Sequence, residues 1–210
     1  MPRAAGQIDL AKTEAILDAA AAVFGERGLA ASMEEIARRA CVSKQTIYNH
    51  YGSKPELIRA LVARRVSEIT APLMAPAAAE HPEEALTAFG RFMMEAVANP
   101  RGLSMLRMAV ESAAHQPDVA QAFFEAGPAT SRRRLAEFLR METEAGRMAI
   151  DDPALAAEFF ASMVVGSHQL AALLGARREL NPEQIDRVAR EASRRFMRAY
   201  AVEQTTVIER

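Results

Sequence analysis

Ser32-Met33-Glu34-Glu35-Ile36-Ala37-Arg38-Arg39-Ala40-Cys41-Val42-Ser43-Lys44-Gln45-Thr46-Ile47-Tyr48-Asn49-His50-Tyr51-Gly52-Ser53-Lys54-Pro55-Glu56 punctuates the chain at close intervals. Ser32-x-x-Glu35 and Ser53-x-x-Glu56 have capping-box spacing, in which the serine and glutamate side chains satisfy each other's backbone N–H groups. Ser43 offers a third N-cap, and Gly52 supplies a stop. This pattern predicts a short helix ending near Ala40, a turn at Cys41-Val42, and a second short helix from Ser43 through His50 or Tyr51. A longer helix then starts at Ser53, with Leu57, Leu61 and Val66 inward.

Upstream, Ile16, Ala20, Val23 and Phe24 form one helical stripe. A first helix is expected over Asp9 to Arg27, closed by Gly28 in a left-handed conformation. Downstream, a break is expected from Pro72 to Pro82, followed by longer amphipathic helices. Leu86, Phe89, Met93 and Val97 line one, and Leu103, Leu106 and Val110 the next. A third region, Asp118 to Ala145, is expected to be interrupted at Gly127-Pro128. Asp152-Pro153 and Asn181-Pro182-Glu183-Gln184 open the last two long helices, Pro153 to Leu174 and Pro182 to Tyr200, and Gly175 stops the first of them. The polar tail after Val202 is expected to fray. No period-two run occurs, so the fold class is all-α.

Two short helices about a tight turn, flanked by longer ones, meet the requirement for a helix-turn-helix. The second helix must be slim and polar on its outer face to enter a major groove. Here Ile47 turns inward and polar side chains surround it. Lys44 and Gln45 lie in the first turn, where lysine can donate to guanine and glutamine can bond adenine twice. Thr46, Tyr48 and His50 suit phosphate oxygens, and Lys54 adds a cation at the next helix start. Ser32, Ser43 and Asn49 complete the candidate DNA-contacting set. A single short helix reads few base pairs, so two-fold pairing is expected to double the contacts.

At these residues the chain resembles a known family. Ala20, Phe24 and Gly28 (A-x-x-x-F-x-x-x-G), Glu35 to Ala40 (E-I-A-x-x-A), Val42 to Tyr48 (V-S-x-x-T-I-Y) and Ser53 to Leu57 (S-K-x-x-L) are similar to the DNA-binding region of the TetR family of repressors. The stretch Ala122 to Gly175 is similar, more loosely, to C-terminal domains found in that family. The resemblance implies a helix-turn-helix domain near residues 9–55 and a linking helix to about 71. A helical effector-binding and dimerisation domain would occupy residues 72–204. It also implies a homodimer on double-stranded operator DNA, released when a small, mainly apolar effector misaligns the reading heads. The family usually has glycine where this chain has Cys41. A left-handed backbone there costs a non-glycine residue about 1 kcal/mol. A packing role is the plainer reading of this cysteine and a redox role the sharper one.

Composition limits the other classes. The 210-residue chain has net charge −1 and is half apolar, enough for a substantial core. Arg38, Arg39, Lys44, Lys54, Arg59, Arg64 and Arg65 stand against one acid, Glu56, between Arg38 and Arg65. Such a local excess fits phosphate contact or simply a solvated helix face. The lone Cys41 excludes an intramolecular disulfide, and the histidines lack metal-ligand spacing. Neither a secretory segment nor a run near the ~18 apolar residues of a membrane helix is found, so a cytoplasmic protein without membrane or cofactor is expected. No nucleophile-elbow, phosphate-loop, dinucleotide or zinc-protease motif occurs, and the paired acids sit at helix starts, so no enzyme is expected.

Eleven methionines and nine phenylalanines suggest a deformable apolar interior. Phe89, Phe92, Met93, Met105, Met108, Phe123, Phe124, Met141, Phe159 and Met163 are candidates for an effector pocket, with plain core as the competing reading. Phe160, His168, Ile185, Val188, Ala192 and Phe196 are candidates for the dimer interface, with Ala189 allowing close approach. Arg132-Arg133-Arg134 reads as a solvated helix face or a site for an acidic effector. A helical small-molecule binder without DNA function is the rival reading, and it predicts no salt-sensitive DNA affinity.

Overall fold

The computed structural model describes residues 10–176 and 180–202, and no strand occurs among them. Asp9 and the tail beyond Val202 lie outside the described residues. Helices α1 (Leu10–Arg27), α2 (Met33–Arg39), α3 (Lys44–Tyr51) and α4 (Lys54–Met74) come first. They are followed by α5 (Pro82–Ala98), α6 (Pro100–Ser112), α7 (Pro117–Phe124), α8 (Thr130–Glu144), α9 (Pro153–Val165), α10 (His168–Leu173) and α11 (Pro182–Ala199).

The packing separates two units, divided differently from the sequence expectation. One takes the chain up to Val66 together with Asn99–Pro128; the other takes Ser67–Ala98 and everything from Ala129. In the first, the expected α1 stripe is buried with Ile36, Ile47, Leu57 and Ile58 in one core, and Met105, Met108, Val119 and Ala126 from the later segment join it. Helix α6 presents Met105, Met108 and Ala109 inward; Leu103 and Leu106 are half-buried, and Val110 is exposed. The stripe read from Leu103 to Val110 was thus the neighbouring face.

In the second unit, Phe160 stacks on Phe89 at 6.0 Å between ring centres and meets the edge of Phe196 at 5.2 Å. These rings anchor α5, α9 and α11 to one another. Gly90 permits the close approach: a Cβ there would lie 3.3 Å from Val164 Cγ2 and 3.5 Å from Ala189 Cβ. The small residue Ala189 therefore serves a contact inside the protomer. Beneath α8 the buried Glu142 carboxylate receives Arg147 Nε at 2.6 Å and Nη2 at 2.8 Å, fastening the turn that leaves the helix.

Two expected breaks differ from the sequence reading, and one unexpected break appears. Pro72 lies inside α4, which continues to Met74. The chain turns instead at Ala75 (φ −67°, ψ 141°), the extended conformation favoured before proline, here Pro76. At Gly127-Pro128 the helix is not interrupted. It widens into a π turn over Glu125–Ala129, which accommodates a proline ring that cannot donate to the ladder. Conversely, the helix expected to reach Leu174 ends at Val165, because Gly166 adopts φ 48°, ψ −135°, and α10 begins afresh.

Candidate nucleic-acid interface

Local chemistry sets the reading pair. Ser32 Oγ accepts the Glu35 N–H at 3.1 Å and starts α2, while the Glu35 carboxylate pairs with Arg27 at 3.4 Å. Cys41 then occupies the turn at φ 55°, the sole non-glycine residue in the left-handed region among those described. It is exposed. Ser43 Oγ accepts the Thr46 N–H at 3.1 Å and lies 2.8 Å from the Thr46 hydroxyl. Gly52 (φ 69°) donates to Tyr48 O and closes α3.

Helix α3 fully buries one side chain, Ile47, and turns most of the others outward. Ser43, Lys44, Gln45, Tyr48, Asn49 and His50 are all exposed, and Thr46 is half-buried. These groups are already organised by one another. Gln45 Nε2 donates to Asn49 Oδ1 at 2.6 Å, one turn along the helix. Lys44 is ion-paired with Glu34 of α2, and its ammonium lies 5.6 Å from the centre of the Tyr48 ring. That hydrogen-bonded pairing lowers the Glu34 pKa and raises that of Lys44. His50 Nε2 is 3.3 Å from Thr13 Oγ1 of α1. Glu34 and Thr13 were not legible as parts of this face; only the fold of the turn brings them there.

Lys54 lies back against the fold. Its ammonium donates 2.7 Å to the Leu29 carbonyl and lies 5.8 Å from the centre of the Phe24 ring, and desolvation by burial lowers its pKa. The basic stretch is also partly neutralised by acids of the first unit. Arg39 pairs with Glu26, Arg59 with Glu56 and Glu125, and Arg64 with Glu14 and Asp18. Tyr51, the last residue of α3, is half-buried, its hydroxyl is enclosed without a hydrogen-bond partner among the described residues, and burial raises its pKa.

The residues expected around an effector divide between the two units. Met105, Met108 and Phe123 belong to the first unit's core. Phe89 is buried in the second, with Phe92 and Met93 packed against that core. Phe124, Met141, Phe159 and Met163 are exposed. Of the expected dimer residues, Phe160, Ile185, Ala192 and Phe196 are buried within the protomer, so a partner cannot reach them without repacking; Val188 and His168 are half-buried. Exposed apolar surface lies on the adjacent row of α9, at Leu155, Phe159 and Met163. Phe159 and Met163 line a groove of about 470 Å³ with Ser162, Arg195, Phe196, Ala199 and Tyr200.

Comparison with known proteins agrees with this architecture. The profile described as bacterial regulatory proteins, tetR family, matches residues 16–61. That of the AefR-like transcriptional repressor C-terminal domain matches residues 84–202. A helix-turn-helix-type transcriptional repressor of Mycobacterium tuberculosis is 37% identical over 84 residues, 40% of this chain and 45% of that protein. The activator FasR of Mycolicibacterium smegmatis is 49% identical over 55 residues, 26% of this chain and 25% of FasR. These matches span less than half the length of the curated relatives. Among solved structures, a TetR-family regulator of Mesorhizobium loti MAFF303099 superposes with a TM-score of 0.75 at 25% identity, covering 91% of this chain and 97% of that one. The flavonoid-responsive regulator FrrA gives 0.69 at 30% identity, covering 92% and 98%. With one profile on the reading helices, another across more than half of the chain, and a likeness to FrrA over nearly its full length, the chain belongs to the TetR family of bacterial regulatory proteins.

Proposed function

We propose that the protein is a transcriptional repressor that binds a palindromic operator as a homodimer and leaves it on binding a small, mainly apolar effector. The observation that carries the DNA reading is α3, a helix with one buried anchor, Ile47, and an outer face of Lys44, Gln45, Tyr48 and Asn49. Lys44 and Gln45 supply base choice once Glu34 and Asn49 release them; Tyr48 contributes to backbone contact. Exposed ion pairs of this kind are weak, so the release costs little.

Dimerisation is assigned to α9 and α11. Leu155, Phe159 and Met163 recur every four residues along one exposed face of α9, where a second copy would cover them. The effector reading rests on family membership and on FrrA, whose name describes it as flavonoid-responsive. Planar aromatic polyphenols are therefore the first compounds to screen. Repression is preferred to activation because the profile of the C-terminal region is that of a repressor.

Binding of the purified protein to DNA flanking its own gene, across a salt series, tests the proposal. Selective binding that weakens steeply with salt is expected, and Tyr48→Ala should weaken binding to every DNA. Absence of selective binding there and in a genome-wide fragment selection would leave the helical ligand binder as the function.

A further inference from the structure

We infer that Glu34 is a base-reading residue: its carboxylate accepts a hydrogen bond from the 4-amino group of a cytosine in the major groove, beside the base that Lys44 contacts. This rests on the DNA-reading function proposed above.

The first turn of α2 holds two acids, and they engage different partners. Glu35 is half-buried and pairs with Arg27. Glu34 is exposed and pairs instead with Lys44, the first residue of α3. An acid at either position favours the helix dipole, so the dipole does not explain why Glu34 reaches toward α3. Side chains in the first turn of a recognition helix meet base edges. Wherever the Lys44 ammonium reaches, the Glu34 carboxylate is within ion-pair range of it. The Tyr48 ring, 5.6 Å from that ammonium, keeps the cation on the outer face of α3. Hydrogen bonding from Lys44 lowers the Glu34 pKa, so the carboxylate is the accepting form at neutral pH.

The chemistry of the groove selects the base. Once Lys44 donates to a guanine, the carboxylate needs another donor, because an unpaired anion enclosed against DNA is costly. Only cytosine N4 and adenine N6 donate in the major groove; guanine and thymine present acceptors there. Adenine sets its N7 acceptor beside the donor, whereas cytosine carries none, so cytosine suits an anion best. The same carboxylate repels the acceptors of guanine and thymine, which adds rejection to attraction. A donor and an acceptor side by side on the protein thus meet their complements on a G·C pair, or on two neighbouring pairs.

Selection from random duplex DNA gives the half-site of wild type, Glu34→Ala and Glu34→Gln, each checked as folded by circular dichroism. Wild type should prefer cytosine at one position that Glu34→Ala weakens. Glu34→Gln should admit adenine there, which glutamine bonds twice. Each cytosine of the wild-type half-site is then replaced in turn by pyrimidin-2-one, which lacks the 4-amino group. At one position this should weaken wild-type binding by roughly five- to a hundredfold, the range of a single base contact, and leave Glu34→Ala unaffected. Equal sensitivity of wild type and Glu34→Ala at every cytosine overturns the inference, as does a wild-type half-site without cytosine or one that both variants reproduce. No selective binding by wild type would instead overturn the function itself.

Discussion

Cys41 carries a backbone geometry that its side chain does not favour, at the turn between α2 and α3. Replacing it by glycine removes the steric penalty of the left-handed region, but adds freedom to the unfolded chain. The first effect is the larger, so Cys41→Gly should stabilise the protein by about 0.5–1 kcal/mol, raising the melting temperature by about 1–4 °C. Cys41→Val, with a branched Cβ in the same conformation, should lower it. Differential scanning calorimetry of the two variants decides the sign. Tyr51 is a second residue held against preference, with an enclosed hydroxyl and a pKa raised by burial. Its neutral form is favoured in the fold. The associated stability is therefore fully present below the ordinary tyrosine value of about 10, and is lost as pH rises through the higher folded value. Tyr51→Phe should flatten that alkaline loss and leave stability at neutral pH equal or higher, read from denaturant midpoints across pH.

Helix α3 depends on very little of itself. Ile47 is its one buried side chain, while Ser43 and Gly52 fix its ends. Ile47→Ala should cost about 2–5 kcal/mol in global stability, by lost burial and the cavity left behind. DNA affinity should collapse at temperatures where wild type is still folded, as measured by urea unfolding and operator titration. At the other end of the chain Asn181 and Gln184 complete a reciprocal capping box, at 2.8 and 3.1 Å. Asn181→Ala should cost about 1 kcal/mol. These starts were legible in the sequence because a cap is a bargain among four neighbours. The breaks were harder to read: Pro72 sits within α4, Pro128 within a π turn, and Gly166 divides what periodicity joins. Proline and glycine permit a break, and the surrounding packing decides whether it occurs. The same limit applies to the candidate site. The outward set on α3 follows from helical spacing around Ile47. The pairing of Lys44 with Glu34 and of Lys54 with Leu29 depends on the way the turns fold back.

Across the whole molecule, apolar periodicity showed that α9 and α11 bury surface without showing against whom. Phe160 and Phe159 are sequence neighbours, yet one is at 0% exposure within the protomer and the other at 51%. If a second copy covers the outer row, a charge placed there will be stranded at the interface. Met163→Glu should shift the protein from dimer to monomer in light scattering, with helix content retained in circular dichroism. Operator affinity should fall with it, since each protomer supplies one reading helix. Loss of affinity without loss of the dimer would place the interface elsewhere. The π turn at Glu125–Ala129 bears on how this chain tolerates a change in length. A π turn is the form a helix takes when it carries one residue more than its regular winding holds. Deleting Pro128 should therefore leave an unbroken, regular helix, where deletion inside an ordinary helix would shift every later side chain by about 100° around the axis. Among the described residues, this is the turn where the chain is expected to lose a residue and keep its phase, as circular dichroism and melting of the deletion variant would show.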